Sequence, residues 1–189
     1  MSKFNIPILY INLKHREDRK EHIESHLKDY NIERVEAVKT DNGFIGCALS
    51  HIKCLELAKE RNYKECIILE DDFIFADNYN FDNMPIPDDF DIYLICNQVR
   101  EKKKINNEFD KVLFAALTSR YWIKEKLYQP LIDNLMEGKE KLVMRNVWDN
   151  HLDIYWNKLW TEYNAVSYNK RIATQMKSFS DIVKKVVKR

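Results

Sequence analysis

Three acidic residues, Glu70, Asp71 and Asp72, follow a run of four apolar residues in the sequence. The apolar run, residues 66–69, predicts a short strand buried on both faces, so the acids come where the strand leaves its sheet. Because successive strand residues point to opposite faces, Glu70 and Asp72 share one side and Asp71 faces the other. Paired carboxylates repel each other unless a cation neutralises them, and Mg²⁺ or Mn²⁺ prefers oxygen ligands. The acids therefore predict a metal–diphosphate site; a solvated acidic turn is the alternative.

A second group of polar residues follows the first predicted strand, residues 6–13. Asn12 ends this strand, and Arg16 and Arg19 lie in the charged stretch directly after it. Arginines at the carboxyl end of a strand can bind a phosphate or a base. The other interpretation is a basic first helical turn in water.

Two further candidates lie in a predicted helix that runs from about residue 46 to residue 61. Ser50 and His51 fall in its first turns. A lone histidine at such a position is more often packed or solvated than catalytic.

Residues 147–160 contain three of the four tryptophans and predict an amphipathic helix. Asp149 and Asp153 are four residues apart, so a helix places them on one side near its positive N-terminal end. A carboxylate early in a helix is usually a capping group.

The elements that position these residues alternate between strands and helices, which predicts an α/β protein with a mainly parallel central sheet. The pattern also predicts a helix that ends at Gly138, an exposed loop at 102–110 and a short edge strand at 142–144. Further strands are predicted at 34–38, 91–96, 112–117 and 121–123.

Composition excludes several classes of protein. With 31 basic and 30 acidic residues among 189, the net charge is +1 and there is no nucleic-acid signature. Only three glycines occur, which argues against a glycine-rich phosphate loop. No signal peptide or membrane-spanning run is recognisable, so we expect a cytoplasmic protein. Cys47, Cys54, Cys66 and Cys96 form no C-x-x-C pair, and we interpret them as small buried residues rather than zinc ligands or disulfides.

The chain is predicted to divide into a main domain, residues 1–169, and a basic C-terminal helix or tail, residues 170–189. The tail carries apolar residues at helical spacing, which favours a terminal helix packed on the domain. Weak contact with an anionic membrane is the other interpretation. The spaced apolar residues are Ile172, Met176, Phe179, Val183 and Val186.

Three blocks of sequence, taken in order, resemble glycosyltransferase family 25, the lipooligosaccharide and procollagen galactosyltransferase family. They are INL at 11–13 followed by the two arginines, GFIGCALSH at 43–51, and LEDD at 69–72. The pattern G-x-x-G-C-x-x-S-H followed some twenty residues later by L-E-D-D is specific.

The resemblance implies a GT-A fold, a Rossmann-like single domain that binds a nucleotide sugar and a divalent metal, usually Mn²⁺ and otherwise Mg²⁺. It also implies an inverting transfer of a hexose, galactose or glucose, from a UDP-sugar to a glycan or another hydroxylated acceptor. Such a reaction needs a base opposite the leaving group to take the proton of the acceptor hydroxyl.

The resemblance also implies roles for the candidate residues. Asp72 and Glu70 would hold the metal, with His151 as a further ligand, and Asp149 would be the base with Asp153 in reserve. The residues expected beside the donor nucleotide and its diphosphate are Asn12, Arg16, Arg19, Ser50, His51, Glu70 and Asp71.

Two alternatives stay open at this point. The chain can be a degenerate member that binds a nucleotide sugar or glycan without turnover. An unrelated metal-dependent phosphohydrolase is the second alternative, although the extra Asp and His ligand motifs of such enzymes are missing.

Overall fold

A computed structural model describes residues 4–76, 78–95, 98–116, 119–182 and 184–187. Cys96 and Val183 therefore lie outside the described residues. The helices are α1 Glu17–His26, α2 Gly43–Glu60, α3 Tyr128–Met144 and α4 Leu152–Tyr155. The strands are β1 Ile8–Asn12, β2 Ile32–Glu36, β3 Glu65–Glu70, β4 Phe73–Phe75, β5 Ile92–Leu94, β6 Val99–Lys104, β7 Phe109–Ala115, β8 Arg120–Lys124, β9 Ala165–Tyr168, β10 Ala173–Gln175, β11 Ser178–Ser180 and β12 Lys185–Val187.

The central sheet has eight strands in the order β2-β1-β3-β8-β5-β9-β7-β6. β1 runs parallel to β2 and to β3, and β5 runs parallel to β9. The other four neighbouring pairs are antiparallel. The predicted α/β class is confirmed, but the sheet is mixed rather than mainly parallel. β7 and β8 cause the difference, because each runs antiparallel to both of its neighbours.

Helices and aromatic side chains cover both faces of the sheet. Alternate strand residues divide between the faces, so Leu9 and Ile68 pack with α2 and α3. Ile8 and Ile67 pack on the other side with α1 and a cluster of phenylalanines. Because both faces are buried there, the inner strands β1, β3, β5 and β8 lack the polar alternation of a solvated sheet.

Helix α3 continues through two predicted features. Gly138 was expected to end it, and residues 142–144 were expected to form a strand, but both lie within α3. A Cβ at Gly138 would lie 2.9 Å from Cδ1 of Tyr155. The glycine therefore allows the close approach of Tyr155 instead of ending the helix.

The structure also differs from the predictions for the loop at 102–110 and for the helix at 147–160. Residues 102–104 and 109–110 of the predicted loop belong to the antiparallel pair β6–β7. β6 is an edge strand of the sheet, where charged residues are usual. The predicted helix at 147–160 is broken at His151, whose backbone is extended between a 3-10 turn and α4.

The predicted C-terminal helix is also wrong. β10 pairs with β4, and β11 pairs with β12 in a hairpin. Ile172 is buried and Phe179 is about half exposed. Pairing with β4 therefore overrides the helical spacing of the apolar residues, and the amphipathic surface expected of this segment does not form. No helix among the described residues is long and apolar enough to cross a membrane.

Helix α2 begins directly against the loop that follows β2. The side chain of Asn42 caps it by accepting a hydrogen bond from the N–H of Phe44 at 3.1 Å. The hydroxyl of Ser50 donates to the carbonyl of Gly46 and accepts from the N–H of Val38, at 2.7 and 2.9 Å. These contacts hold the first turns of α2 close to the loop.

We expect Gly46→Ala to lower the free energy of unfolding by about 1–3 kcal/mol. A Cβ at this position would lie 2.6 Å from the backbone carbonyl oxygen of Val38, which cannot rotate away. Urea unfolding measures the change. Glu56→Ala, an exposed change on the same helix, is the control and should stay within about 0.5 kcal/mol of the parent. An equally stable Gly46→Ala variant would contradict the close packing.

Candidate active site

The carboxyl ends of β1 and β3 bring the acids and the first loop together. The two strands are parallel neighbours, with Ile11 opposite Glu70. Asn12 then lies beside the turn that holds Asp71 and Asp72. This is the edge at which open α/β sheets bind their ligands.

The three acids have different partners. Asp71 accepts hydrogen bonds from the Asn12 amide and the Arg19 guanidinium, each at 2.8 Å. Glu70 and Asp72 both accept from the amide nitrogen of Gln175, at 3.3 and 3.1 Å. Glu70 and Asp72 therefore converge as predicted, but Asp71 does not face away from them: one nitrogen of Arg19 lies 2.8 Å from Asp71 and 3.3 Å from Asp72.

Burial and mutual repulsion shift the acidity of this group. Burial, together with the negative charge of Glu70, raises the pKa of Asp72 to about 7. Burial also raises the pKa of Asp71, although Arg19 and Asn12 oppose the shift. Burial opposes the ionisation of Glu70 too, but His51 and Arg19 outweigh it and hold the pKa of Glu70 below its ordinary value. The positively charged groups beside the acids are therefore too few to keep all three carboxyls fully ionised at neutral pH.

The donor atoms fit a hard divalent cation. Glu70 and Asp72 each direct an oxygen at the Gln175 amide group, so these oxygens are close together. Oε1 of Gln175 is buried and has no hydrogen-bond partner in the described part of the chain. Turning this amide by half a rotation presents its oxygen beside the two carboxylates, which gives three oxygen donors of the kind that Mn²⁺ and Mg²⁺ prefer.

The raised pKa of Asp72 predicts a pH-dependent stability for the metal-free protein. An unfolded aspartate has a pKa of about 3.9, so the folded state binds more protons between about pH 4 and about pH 7. The free energy of unfolding should therefore fall as the pH rises through this window, by an amount on the order of a few kcal/mol. Thermal unfolding at a series of pH values measures the effect.

Asp72→Asn is the matched variant for this measurement, because asparagine keeps the size of the side chain without its charge. It should remove most of the pH dependence. A parent protein whose stability rises from pH 4 to pH 7 would contradict the shift.

A cavity of about 660 Å³ opens above the acids. This volume lies within the range of about 300–1,000 Å³ that is usual for small-molecule sites. Basic side chains line it beside the acids, namely His15, Arg16, Arg19, Lys39 and Lys184. Carboxylates line it as well, namely the three acids, Asp41, Asp153 and Asp181, so the cavity offers ligands both for a cation and for an anion.

Arg16, directly before α1, and Arg19, in its first turn, connect this part of the chain to the C-terminal strands. Arg16 donates to Asp181 at 2.7 Å, and Arg19 donates to the hydroxyl of Ser178 at 2.6 Å. Phe179, whose carbonyl accepts from both arginines at 3.0 Å, also lines the cavity. β11 and the residues after it thus form one wall of the cavity.

Asn12 has a different environment from the one expected. Its amide donates to Asp71, its oxygen accepts from Arg34 at 2.9 Å, and its side chain is buried. Asn12 is not among the residues that line the cavity. It holds Asp71 in position and is separated from the space that a nucleotide would fill.

Ser50 and His51 both line the cavity, on the α2 side. His51 is fully buried, and its Nδ1 lies 2.9 Å from the hydroxyl of Tyr121. Its Nε2 is 4.0 Å from Oε1 of Glu70. The structure thus brings the histidine of the second sequence block to the acids of the third.

The structure separates the predicted base and the third metal ligand from the acids. Asp149 is exposed in the 3-10 turn Trp148–Asn150, and it does not line the cavity. The ring of His151 stacks on Phe44 at 3.9 Å, and its Nε2 is 3.4 Å from Asn146. Asp153 does line the cavity, because the break at His151 turns α4 toward it.

Sequence reasoning missed two groups of site residues. Gln175, Ser178 and Asp181 reach the acids or the arginines from the end of the chain, and no local signal in the sequence indicates this. Cys47 also lines the cavity, with Sγ 4.0 Å from Oε1 of Glu70. Its spacing of four residues from His51 on a predicted helix was a signal that could have identified it.

Comparisons with known proteins show the family and the fold of this chain. A family model described as glycosyltransferase family 25 (LPS biosynthesis protein) matches residues 40–142, more than half of the chain. The matched region includes α2 and the three acids. No curated protein matches the chain by sequence.

Solved structures resemble the fold at low sequence identity. A glycosyltransferase involved in the glycosylation of the major capsid of PBCV-1 has a TM-score of 0.58 and 10% identity, covering 93% of this chain and 94% of that one. A nucleoside-diphosphate-sugar pyrophosphorylase from Vibrio cholerae has a TM-score of 0.48 and 14% identity, covering 89% and 75%. The first of these supports the GT-A-like fold.

Proposed function

Because the chain belongs to glycosyltransferase family 25, we propose that it moves a hexose, galactose or glucose, from a UDP-sugar to a hydroxyl of a glycan or another hydroxylated acceptor. We further propose that the transfer inverts the anomeric centre and depends on Mn²⁺ or Mg²⁺. The observation that carries this proposal is the convergence of Glu70 and Asp72 on one amide group in a cavity that Arg16 and Arg19 also line.

Charge around the acids supports a diphosphate ligand. With a pKa of about 7, the Asp72 carboxyl is only partly ionised at neutral pH in the metal-free protein, so a bound cation would displace the remaining proton and gain a carboxylate ligand. When bound, the cation supplies positive charge that stabilises the leaving diphosphate. Arg19 carries a further positive charge beside Asp72, with one nitrogen 3.3 Å from it.

Arg16 and the C-terminal wall are suited to enclosing the donor. The guanidinium of Arg16 is mostly buried between Asp18 and Asp181, and these carboxylates fix its orientation. An ordered cation at the cavity edge binds an anion at a lower entropic cost than a mobile one. Phe179 presents an aromatic ring on the same wall, where a flat base can pack against it.

Asp153 is the base that this arrangement favours. It lines the cavity, whereas Asp149 faces solvent. A carboxylate in the cavity can accept the proton of the acceptor hydroxyl as that oxygen attacks the sugar. We therefore assign the base to Asp153 rather than to Asp149.

The test measures UDP release from UDP-galactose and UDP-glucose by metal-free protein, with and without added Mn²⁺. We expect release that requires Mn²⁺, and the freed sugar should have an inverted anomeric centre when examined by NMR at early times. UDP that binds without any release from either donor would support the degenerate binding domain instead. Phosphate release from a simple phosphomonoester, independent of nucleotide, would support the phosphohydrolase.

A further inference from the structure

Cys47, His51 and Glu70 form a second group of donor atoms beside the acids. Their ligating atoms all lie within 4.8 Å of one another, and they are the one group of three such residues found in the described ranges. Oε1 of Glu70 is 4.0 Å from Sγ of Cys47 and 4.0 Å from Nε2 of His51. A helix and a strand position them: Cys47 and His51 are four residues apart on one face of α2, and Glu70 ends β3.

The imidazole of His51 has the environment of a metal ligand. The side chain is fully buried, and Nε2 has no hydrogen-bond partner in the described structure. Leaving a buried polar atom unpaired is unfavourable, and a cation on Nε2 would satisfy it. The proton would then lie on Nδ1, which donates to the hydroxyl oxygen of Tyr121 at 2.9 Å. Partners of this kind fix the ring and tautomer of metal-bound histidines.

Glu70 also has an oriented carboxylate. Its Oε2 accepts from Gln175, which leaves Oε1 directed at Cys47 and His51. The two oxygens therefore face different ligand groups. Only Oε2 belongs to the hard oxygen site shared with Asp72.

The chemistry of the three donors selects a class of metal ion. Mg²⁺ and Mn²⁺ rarely bind sulfur, whereas Zn²⁺ and Co²⁺ bind thiolate, imidazole and carboxylate together. Tetrahedral binding of Zn²⁺ brings such donors to roughly 3.5 Å from one another, so the two distances of 4.0 Å from Glu70 must shorten by about half an ångström, and the sulfur–nitrogen pair, within 4.8 Å, must also reach this distance. All three residues line the cavity, so a fourth position stays open to it.

We propose that Cys47, His51 and Glu70 form a binding site for a thiophilic divalent transition-metal ion of the Zn²⁺ class, distinct from the oxygen site at Glu70 and Asp72. Binding forms a bond from the metal to sulfur, and the thiol proton leaves to solvent as this bond forms. This site goes beyond the proposed transfer reaction and does not depend on it.

Cobalt is the probe that tests this site, because it replaces Zn²⁺ and absorbs light. Titration of the metal-free, full-length protein with Co²⁺ should give a thiolate-to-cobalt charge-transfer band in the near ultraviolet and strong visible bands typical of four-coordinate cobalt. Cys47→Ser should remove the charge-transfer band, and His51→Gln should weaken Co²⁺ binding by about 100-fold or more. Cys54→Ala, a change at a buried cysteine of the same helix, should keep the band.

The result that would overturn the proposal is a missing charge-transfer band, or one that persists in Cys47→Ser. Zinc-edge X-ray absorption of the unmodified protein decides the matter if a variant does not fold. One sulfur neighbour supports the site, and none contradicts it. Asp72→Asn keeps this ligand set intact, so it should keep the cobalt spectrum while losing Mn²⁺-dependent UDP release. Failure of one proposal is thus distinguishable from failure of the other.

Discussion

Asp72→Asn is expected to lower Mn²⁺-dependent release of UDP from a UDP-hexose by about 10³-fold or more, a loss of about 4 kcal/mol in stabilisation of the transition state. Asparagine preserves the volume of the side chain and an oxygen that can accept from Gln175. What disappears is a negative charge beside Glu70 that a divalent cation requires. The variant should therefore fold normally and bind Mn²⁺ weakly.

Steady-state kinetics and Mn²⁺ binding, followed by electron paramagnetic resonance, measure the two effects together. Asp133→Asn is the matched control, because Asp133 is exposed on α3 and bonded only to its neighbour Gln129 among the contacts described. It should change neither quantity. Retention of activity within about tenfold, together with an unchanged Mn²⁺ affinity, would remove Asp72 from the cation site.

Asp153→Asn is expected to reduce kcat by about 10²–10⁴-fold, the usual contribution of a general base. The affinity for UDP should stay near that of the parent, because the variant keeps the acids and the arginines that are proposed to bind the donor. The acidic limb of the pH–rate profile, which reports ionisation of the base, should also disappear. Kinetics over a pH series and calorimetric titration with UDP measure these effects.

Asp149→Asn separates the two candidate bases. Since Asp149 is exposed outside the cavity, its loss should change kcat by no more than about threefold. The reverse outcome, a large loss of kcat in Asp149→Asn and a small one in Asp153→Asn, would assign the base to Asp149. It would also require a movement that brings Asp149 to the cavity during the reaction.

The central strands and the acids were predictable because their signals are local. Four consecutive apolar residues before Glu70 require a strand buried on both faces, and the acids can only lie where it ends. The position of Arg19 was predictable for a similar reason, since it lies in the first turn of α1, the element that follows the strand beside the acids.

The remainder of the site depends on contacts between distant parts of the chain. Asparagine is a residue type that often binds ligands, but the side-chain amide of Asn12 is already hydrogen-bonded to Asp71 and Arg34. Gln175 lies in a segment whose apolar spacing predicts a helix, and only its pairing with β4 directs it to Glu70. Cysteine is a residue type typical of protein cores, so the sequence does not single out Cys47. Its proximity to Glu70 depends on how α2 packs against β3.

The C-terminal wall has a consequence for how the protein is made. The bond from Gln175 to Glu70 spans 105 positions, and the bond from Arg19 to the carbonyl of Phe179 spans 160. Contacts this distant in sequence are slow to form, and on a ribosome they cannot form before residues 175–179 have been synthesised. We expect the central sheet of a nascent chain to form first and its nucleotide-binding cavity to form last. The donor would then be bound only after the residues of this wall, Gln175 to Asp181, have been synthesised.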